Sequence, residues 1–317
     1  MHMPEQPLVS IITPSYNQVS FLEETISSVL TQDYPNIEYW IIDGGSTDGS
    51  VQVIKENAHQ LKGWVSEPDA GQGDAINKGF KRIKGDIVAW LNSDDLYRQR
   101  AVRRAVSVLQ AHPDVGLVFS DVDSIDAQGE VFNRMTYDDY QLADLMAFKI
   151  IGQPSVFFRR SLLERVGYLD TSYQFLLDHH LWLRMALFTE LKYVPGEVWA
   201  AARMHPGAKN VADAAQFGEE AYRLVEWMLH NDRFQPYIKG RVNRMWAGAH
   251  RLNGFYLLDG GERCAALRSY WRGFWRYPPA VLKDWRRIAF ALSPIPLDKM
   301  RARYFERRKR THQKEEK

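Results

Sequence analysis

The chain has 317 residues, 45% of them hydrophobic and 25% charged, the balance of a folded globular protein. Its single cysteine, Cys264, excludes a scaffold stapled by internal disulfides and predicts a reducing, cytoplasmic setting. No apolar run reaches about 18 residues, and the N-terminus has neither a basic start nor a long apolar stretch, so neither a membrane-spanning helix nor a signal peptide is expected.

The first part of the chain alternates strand and helix. LVSIIT (8–13) reads as a strand. SFLEETISSVLTQ (20–32) reads as a helix with Leu22, Ile26, Val29 and Leu30 on one face and with Ser20 and Glu23 at capping-box spacing. IEYWIID (37–43) is a strand, and GGSTDGS after it is a turn whose glycines permit unusual backbone angles. VQVIKENAHQL is a helix, GWVSE a strand, PDAGQGD a loop, AINKGFKRI a helix and DIVAWLN a strand. AVRRAVSVLQAH is a helix and VGLVFSD a strand. Such alternation predicts a doubly wound α/β sheet, whose ligands bind outside the carboxyl ends of the strands.

Three of those ends carry polar groups: Thr13-Pro14-Ser15-Tyr16-Asn17, Asp43 with its glycine turn, and Asn92-Ser93-Asp94-Asp95. The adjacent carboxylates Asp94 and Asp95 read either as a helix cap or as oxygen ligands for a hard divalent cation. No G-x-G-x-x-G follows the first strand and no G-x-x-x-x-G-K-[ST] exists, which argues against a dinucleotide fold and a P-loop.

Taken together, VSIITPSYN, IIDGGSTDGS, SEPDAGQGDAINKGF and WLNSDD resemble the family-two glycosyltransferases of the GT-A fold, over about residues 8–209. The resemblance implies inverting transfer of a sugar, hexosyl in class, from a nucleotide diphosphate sugar, UDP-sugar favoured, to an acceptor hydroxyl. It implies Mn²⁺ or Mg²⁺ at Asp94, the last residue of a D-x-D motif whose first position here is Asn92, with Ser93 between them. Thr13, Pro14 and Tyr16 match the nucleotide-binding edge, and Asp43 matches a carboxylate that accepts a base N–H. Asp74 and Asn77 match residues near the ribose and donor sugar.

GQPSVFFRRSLLERVGYLD (152–170) resembles the family's glycine loop and acceptor-side strand, which makes Gln153 an acceptor-side candidate. In LLDHHLWLRMA, Leu177 stands where members carry Glu, and Asp178 keeps the position of the general base, with His179 and Trp182 on the acceptor side. Adjacent histidines point about 100° apart on a helix, so His179 and His180 are a poor metal pair. ARMHPGAKN resembles the loop that closes the site, with His205 matching a metal or diphosphate ligand and Arg203 and Lys209 placed to neutralise phosphate charge. Two other readings compete with an active transferase. One is a non-catalytic nucleotide-sugar binder, favoured by Asn92 and Leu177; the other is a phosphohydrolase, which needs more convergent carboxylates than the chain offers.

This places a catalytic domain at 1–211 and a helical region at 212–317, a surface for packing or homodimer contact. The formal net charge of +2 conceals an asymmetry, since 262–317 holds 16 Lys/Arg against 6 Asp/Glu, leaving −8 elsewhere. Leu267, Tyr270, Trp271, Phe274 and Trp275 recur at helical spacing, with Arg268, Arg272 and Arg276 expected on another face. Val281, Leu282, Trp285, Ile288, Ala289 and Leu292 repeat the design against Lys283, Arg286 and Arg287, and RARYFERRKR follows. The pattern suits the anionic inner face of a membrane and a lipid-linked or cell-surface glycan precursor as acceptor. No nucleic-acid motif accompanies the basic residues.

Overall fold

The computed structural model describes residues 4–205 and 214–293. The chain divides into two compact units. One comprises the residues up to Asp139 with Ile151–Arg203; the other comprises Tyr140–Ile150 with the residues from Met204 onward.

The first unit holds a mixed sheet. In chain order its strands are β1 (Val9–Ser15), β2 (Ile37–Asp43), β3 (Gly63–Ser66), β4 (Ile87–Trp90), β5 (Leu96–Tyr97), β6 (Val115–Ile125), β7 (Val131–Met135), β8 (Phe157–Arg159) and β9 (Glu190–Arg203). They lie in the order β3-β2-β1-β4-β8-β6-β9-β5, with β7 paired to β6. β1 to β4 are mutually parallel, whereas β8 runs antiparallel to both of its neighbours, β4 and β6. This half-parallel arrangement is the GT-A fold that the sequence motifs imply.

The helices α1 (Val19–Leu30), α2 (Ser50–Asn57), α3 (Gln72–Phe80) and α4 (Ala101–Ala111) make the crossovers. β1 is buried along its whole length, as expected of a parallel strand covered on both faces. Val9 and Ile11 face a core shared with Leu22, Ile26, Tyr39, Ile41, Ala89, Leu91 and Val102. On the opposite face Trp90 packs edge-on against Phe80 and Phe158, and stacks on Trp182.

The start of α1 differs from expectation. Ser20 and Glu23 do not cap it. The helix begins at Val19, whose N–H donates to the Asp48 carboxylate at 2.9 Å, while the Gln18 N–H donates to the Ser50 hydroxyl at 3.1 Å. A carboxylate from the next loop therefore does the capping, and Gly49 at φ +109° lets that loop turn into α2.

In the second unit, the Val242–Asp259 helix packs between Ala214–Leu229 and Arg263–Arg276. Gly248 lies so close to the Ala147 carbonyl that a Cβ would come within 2.2 Å of it, and Arg244 bonds Asp144 at 3.0 Å. These contacts fasten Tyr140–Ile150 to the helical unit. Among the described residues no helix is long and apolar enough to cross a membrane.

Candidate active site

Register sets which polar groups share the sheet edge. Ser15 lies opposite Asp43, and Asp43 opposite Ser66. β4 leaves one step earlier, where the Leu91 N–H donates to the Ile12 carbonyl at 2.9 Å, so Asn92 emerges beside the end of β1.

Asp43 is fully buried. Its Oδ2 accepts the Gly45 and Ser46 N–H groups at 3.1 and 2.9 Å and the Ser66 hydroxyl at 2.7 Å; Oδ1 accepts the Ser46 hydroxyl at 2.5 Å. The glycine turn is thus folded around this carboxylate. It is also stitched to the chain leaving β1. The Asn17 N–H donates to Ser46 Oγ at 2.8 Å, and Asn17 Oδ1 accepts the Thr47 N–H at 2.9 Å. Asn17 sits at φ +50°, a region Asn tolerates better than most residues. The stitching holds Tyr16, 61% exposed, on the rim, and leaves Pro14 buried within β1. Thr13 is placed differently: its hydroxyl meets the Tyr39 hydroxyl at 2.9 Å inside the core.

The turn after β4 is built on side-chain amides. Asn92 Oδ1 accepts the Gln72 amide at 2.7 Å, while Nδ2 donates to Asp95 Oδ2 at 3.0 Å and to Gln153 Oε1 at 3.3 Å. Gln153 Nε2 then donates to the Trp90 carbonyl at 2.8 Å. Ser93 and Asp95 are buried, and Asp94 is half-buried. Burial, followed by the neighbouring Asp94 charge, pushes the Asp95 carboxyl well above the usual carboxylate range. α4 begins only at Ala101, so neither aspartate caps it.

Arg203 is buried and bonded on all sides. Its N–H donates to Asp95 Oδ1 at 3.0 Å and its Nε to the Asp94 carbonyl at 2.9 Å. Its remaining nitrogens reach the Asp126 and Ala127 carbonyls and the Glu24 carboxylate, and the guanidinium lies over the Phe21 ring. The sequence reading gave Arg203 to a phosphate. In the structure it is a strut that shapes the Asp94-Asp95 turn. Gln72 and Glu24 were missed as supports, because their partners lie 20 and 179 residues away in the chain.

Asp74 accepts the Ala70 N–H at 3.2 Å and pairs with Lys78 at 3.5 Å. Asn77 Nδ2 donates to the Leu169 carbonyl at 2.9 Å, and its Oδ1 accepts the Leu169 N–H at 3.0 Å. Both ends of that amide therefore hold backbone. Further along, a Cβ at Gly73 would lie 3.6 Å from Thr171, and one at Gly71 3.1 Å from the Gln174 amide oxygen. Asn77 accordingly fastens Leu169 to α3, and Thr171 and Gln174 pass close to Gly73 and Gly71 at its start.

That segment leads into the Leu177–Ala186 helix. Asp178 occupies its first turn, half-buried, and accepts the His179 N–H at 2.7 Å. One turn later Trp182 stacks on Trp90, centroids 5.2 Å apart. Residues four apart share a helix face, so Asp178 lies one turn before Trp182 on the face that packs against Trp90. Trp182 is fully buried and belongs to the core, not to a pocket wall. His179 and His180 are buried too, with His180 against the Tyr173 ring at 4.6 Å. Beside Gln153, a Cβ on Gly152 would come within 2.3 Å of the Tyr137 hydroxyl and 2.8 Å of Val122, so those side chains would have to shift to accept one.

His205 is half-buried and belongs to the second unit; Lys209 lies outside the described residues. Asp94 offers the hard carboxylate oxygen that Mn²⁺ and Mg²⁺ favour. Asn92 Oδ1 and both Asp95 oxygens are engaged by Gln72, Arg203 and Asn92. Among the described residues no three His, Cys, Asp or Glu side chains converge as a cation cage. The donor set fits an ion that takes most of its ligands from a diphosphate.

The glycosyl transferase family 2 model matches residues 10–167. An uncharacterized glycosyltransferase of Mycobacterium tuberculosis is 31% identical over 192 residues, covering 59% of this chain and 72% of that protein. One of Rickettsia typhi is 29% identical over 213 residues, covering 63% of this chain and 64% of the relative, so this chain spans less than two thirds of that protein's length. Among solved structures, the mannosyltransferase PcManGT from Pyrobaculum calidifontis, in complex with GDP-Man and Mn²⁺, is similar with a TM-score of 0.61 at 22% identity. That likeness covers 97% of this chain and 88% of the archaeal one. By its motifs, its sheet and these relatives, the chain belongs to glycosyl transferase family 2.

Proposed function

We propose that this protein transfers a sugar from a nucleotide diphosphate sugar, UDP-linked by preference, to an acceptor hydroxyl with inversion at the anomeric carbon. The observation that supports this reading is the meeting of the Asp43 turn and the Asn92-Ser93-Asp94 turn at one sheet edge, with the helix that bears Asp178 packed on β4 through the Trp182–Trp90 stack.

On this reading Tyr16 takes the base beside Pro14, and Asp43 Oδ1, which accepts the Ser46 hydroxyl, is the acceptor for a base N–H. Asp74 and Asn77 border the ribose and donor sugar, and Gln153 and His179 support the acceptor side. A divalent cation, Mn²⁺ or Mg²⁺, held at Asp94 would stabilise charge on the leaving diphosphate. The Mn²⁺ in the archaeal neighbour supports that choice of ion.

Asp178 takes the proton of the acceptor hydroxyl as its oxygen forms the bond to the anomeric carbon; the bond to the diphosphate breaks on the opposite face. The acceptor we assign is a sugar or lipid-linked precursor of a cell-surface glycan. A non-catalytic nucleotide-sugar binder is the second reading, favoured by Leu177 and by the engaged amide of Asn92.

Asp178→Asn keeps shape and removes the proton acceptor. It should retain donor affinity by calorimetry while kcat falls about 10²–10⁴-fold, the usual scale for a general base. An undiminished rate would remove Asp178 from the mechanism. Donor binding without transfer to any acceptor, by the unaltered protein, would favour the second reading.

A further inference from the structure

We propose that the outward face of the Arg263–Arg276 helix docks the protein on an anionic lipid surface. The sequence separates an aromatic face from an arginine face; the structure does not. Ala266, Ser269, Tyr270 and Gly273 turn inward and are buried. Trp271 and Trp275 turn outward, 61% and 69% exposed, in company with the exposed Arg268, Arg272 and Arg276. Positions 268, 271, 272 and 275 follow i, i+3, i+4, i+7, so indoles and guanidinium groups share one stripe.

The segment that follows repeats the chemistry. Leu282, Trp285 and Leu292 are 53%, 58% and 70% exposed, beside the exposed Lys283 and Arg286. Its other cation is spent inward: Arg287 pairs with Asp259 and lies over the Phe255 ring. Val281 is buried, so this element too divides differently from its sequence pattern.

Charge and shape of the side chains select the partner. Between Glu262 and Ser293 the exposed cations are Arg268, Arg272, Arg276, Lys283 and Arg286; Glu262 is the exposed anion, and Asp284 is paired with Arg251. Indoles settle at headgroup depth while long arginines reach lipid phosphates. Exposed leucines add apolar area that an acyl boundary accepts and that a nucleic acid backbone does not. Residues 294–317 extend the charge in sequence, with 9 Lys/Arg against 4 Asp/Glu. The inference is independent of the catalytic reading.

Sedimentation of the full chain with phosphatidylcholine vesicles, with and without phosphatidylglycerol, tests it. Binding should require the anionic lipid and weaken as salt rises from low to physiological. Trp271→Ala with Trp275→Ala should lower vesicle affinity at least about tenfold, because each indole loses its burial at the interface. Arg268→Glu with Arg272→Glu, a second surface variant, should do the same. Full-length protein that stays in the supernatant with anionic vesicles at low salt overturns the proposal. So does unchanged vesicle binding by either folded double variant. Loss of a dimer in the tryptophan variant without any vesicle binding would assign the stripe to a second copy of the chain, and tighter binding to duplex DNA than to vesicles would assign it to nucleic acid.

Discussion

Asn92 departs from the family motif, and its surroundings say what the departure does. Its Nδ2 serves both the buried Asp95 and Gln153, while its Oδ1 takes the Gln72 amide. Asn92→Asp would restore the D-x-D pattern but replace that donor by an acceptor oxygen beside two carboxylates. We predict damage, not gain: a loss of stability of about 1–3 kcal/mol in urea unfolding, the scale of a buried polar group left unsatisfied, together with lower kcat/KM. A faster enzyme would show instead that Asn92 is a weak substitute ligand. The same neighbourhood marks how far sequence reached. The strand-end positions of Asp43 and Asp94 were legible because polar residues there are conspicuous against apolar runs, whereas Asp178 came from the family resemblance. Thr13, Trp182 and Arg203 were misplaced or misjudged because polarity along a chain does not reveal which way a side chain faces. Thr13 shares the face of Val9 and Ile11 and finds Tyr39; Arg203 finds Asp95, 108 residues away.

Long buried strands and the crossover helices followed from periodicity, with most ends shifted by a residue or two, but α3 starts three residues earlier and β6 runs four residues longer than the pattern suggests. β5 and β8, of two and three residues, carry no period of their own, and the antiparallel entry of β8 between β4 and β6 is decided by tertiary packing. The helical unit offers a test at this level. His250 Nδ1 lies 2.8 Å from the Tyr222 hydroxyl, which also meets Ser269 and Asn253 across three helices. Burial, and then the charges of Arg272 and Arg276, lower the His250 pKa to about 4. An unfolded histidine titrates near 6.5, so between those values the unfolded chain binds the extra proton. Stability from this group is therefore complete above about pH 6.5 and declines as pH falls toward 4. His250→Asn should be less stable near neutrality and should flatten that part of the pH–stability curve. An identical slope in the variant would assign the acid sensitivity to other groups.

Taken as a single molecule, the protein joins a sheet-based unit whose polar ends meet at one edge to a basic, tryptophan-bearing helical unit. A ligand that binds only the folded chain must raise its melting temperature, and the size of the rise reports which ligand the edge accepts. At 100 times its dissociation constant such a ligand contributes about 2.7 kcal/mol. For a unit of this size that is on the order of 5–10 °C. UDP with Mn²⁺ should produce a shift of that order, and GDP a smaller one, since the donor is taken as UDP-linked. Because the ion's remaining ligands would come from the diphosphate, neither UDP alone with a chelator nor Mn²⁺ alone should reproduce it. Asp94→Ala should abolish the Mn²⁺-dependent part. A full shift in chelator, or in Asp94→Ala, would take the ion out of donor binding. A larger shift with GDP than with UDP would keep the site and change the base that Tyr16 and Asp43 receive.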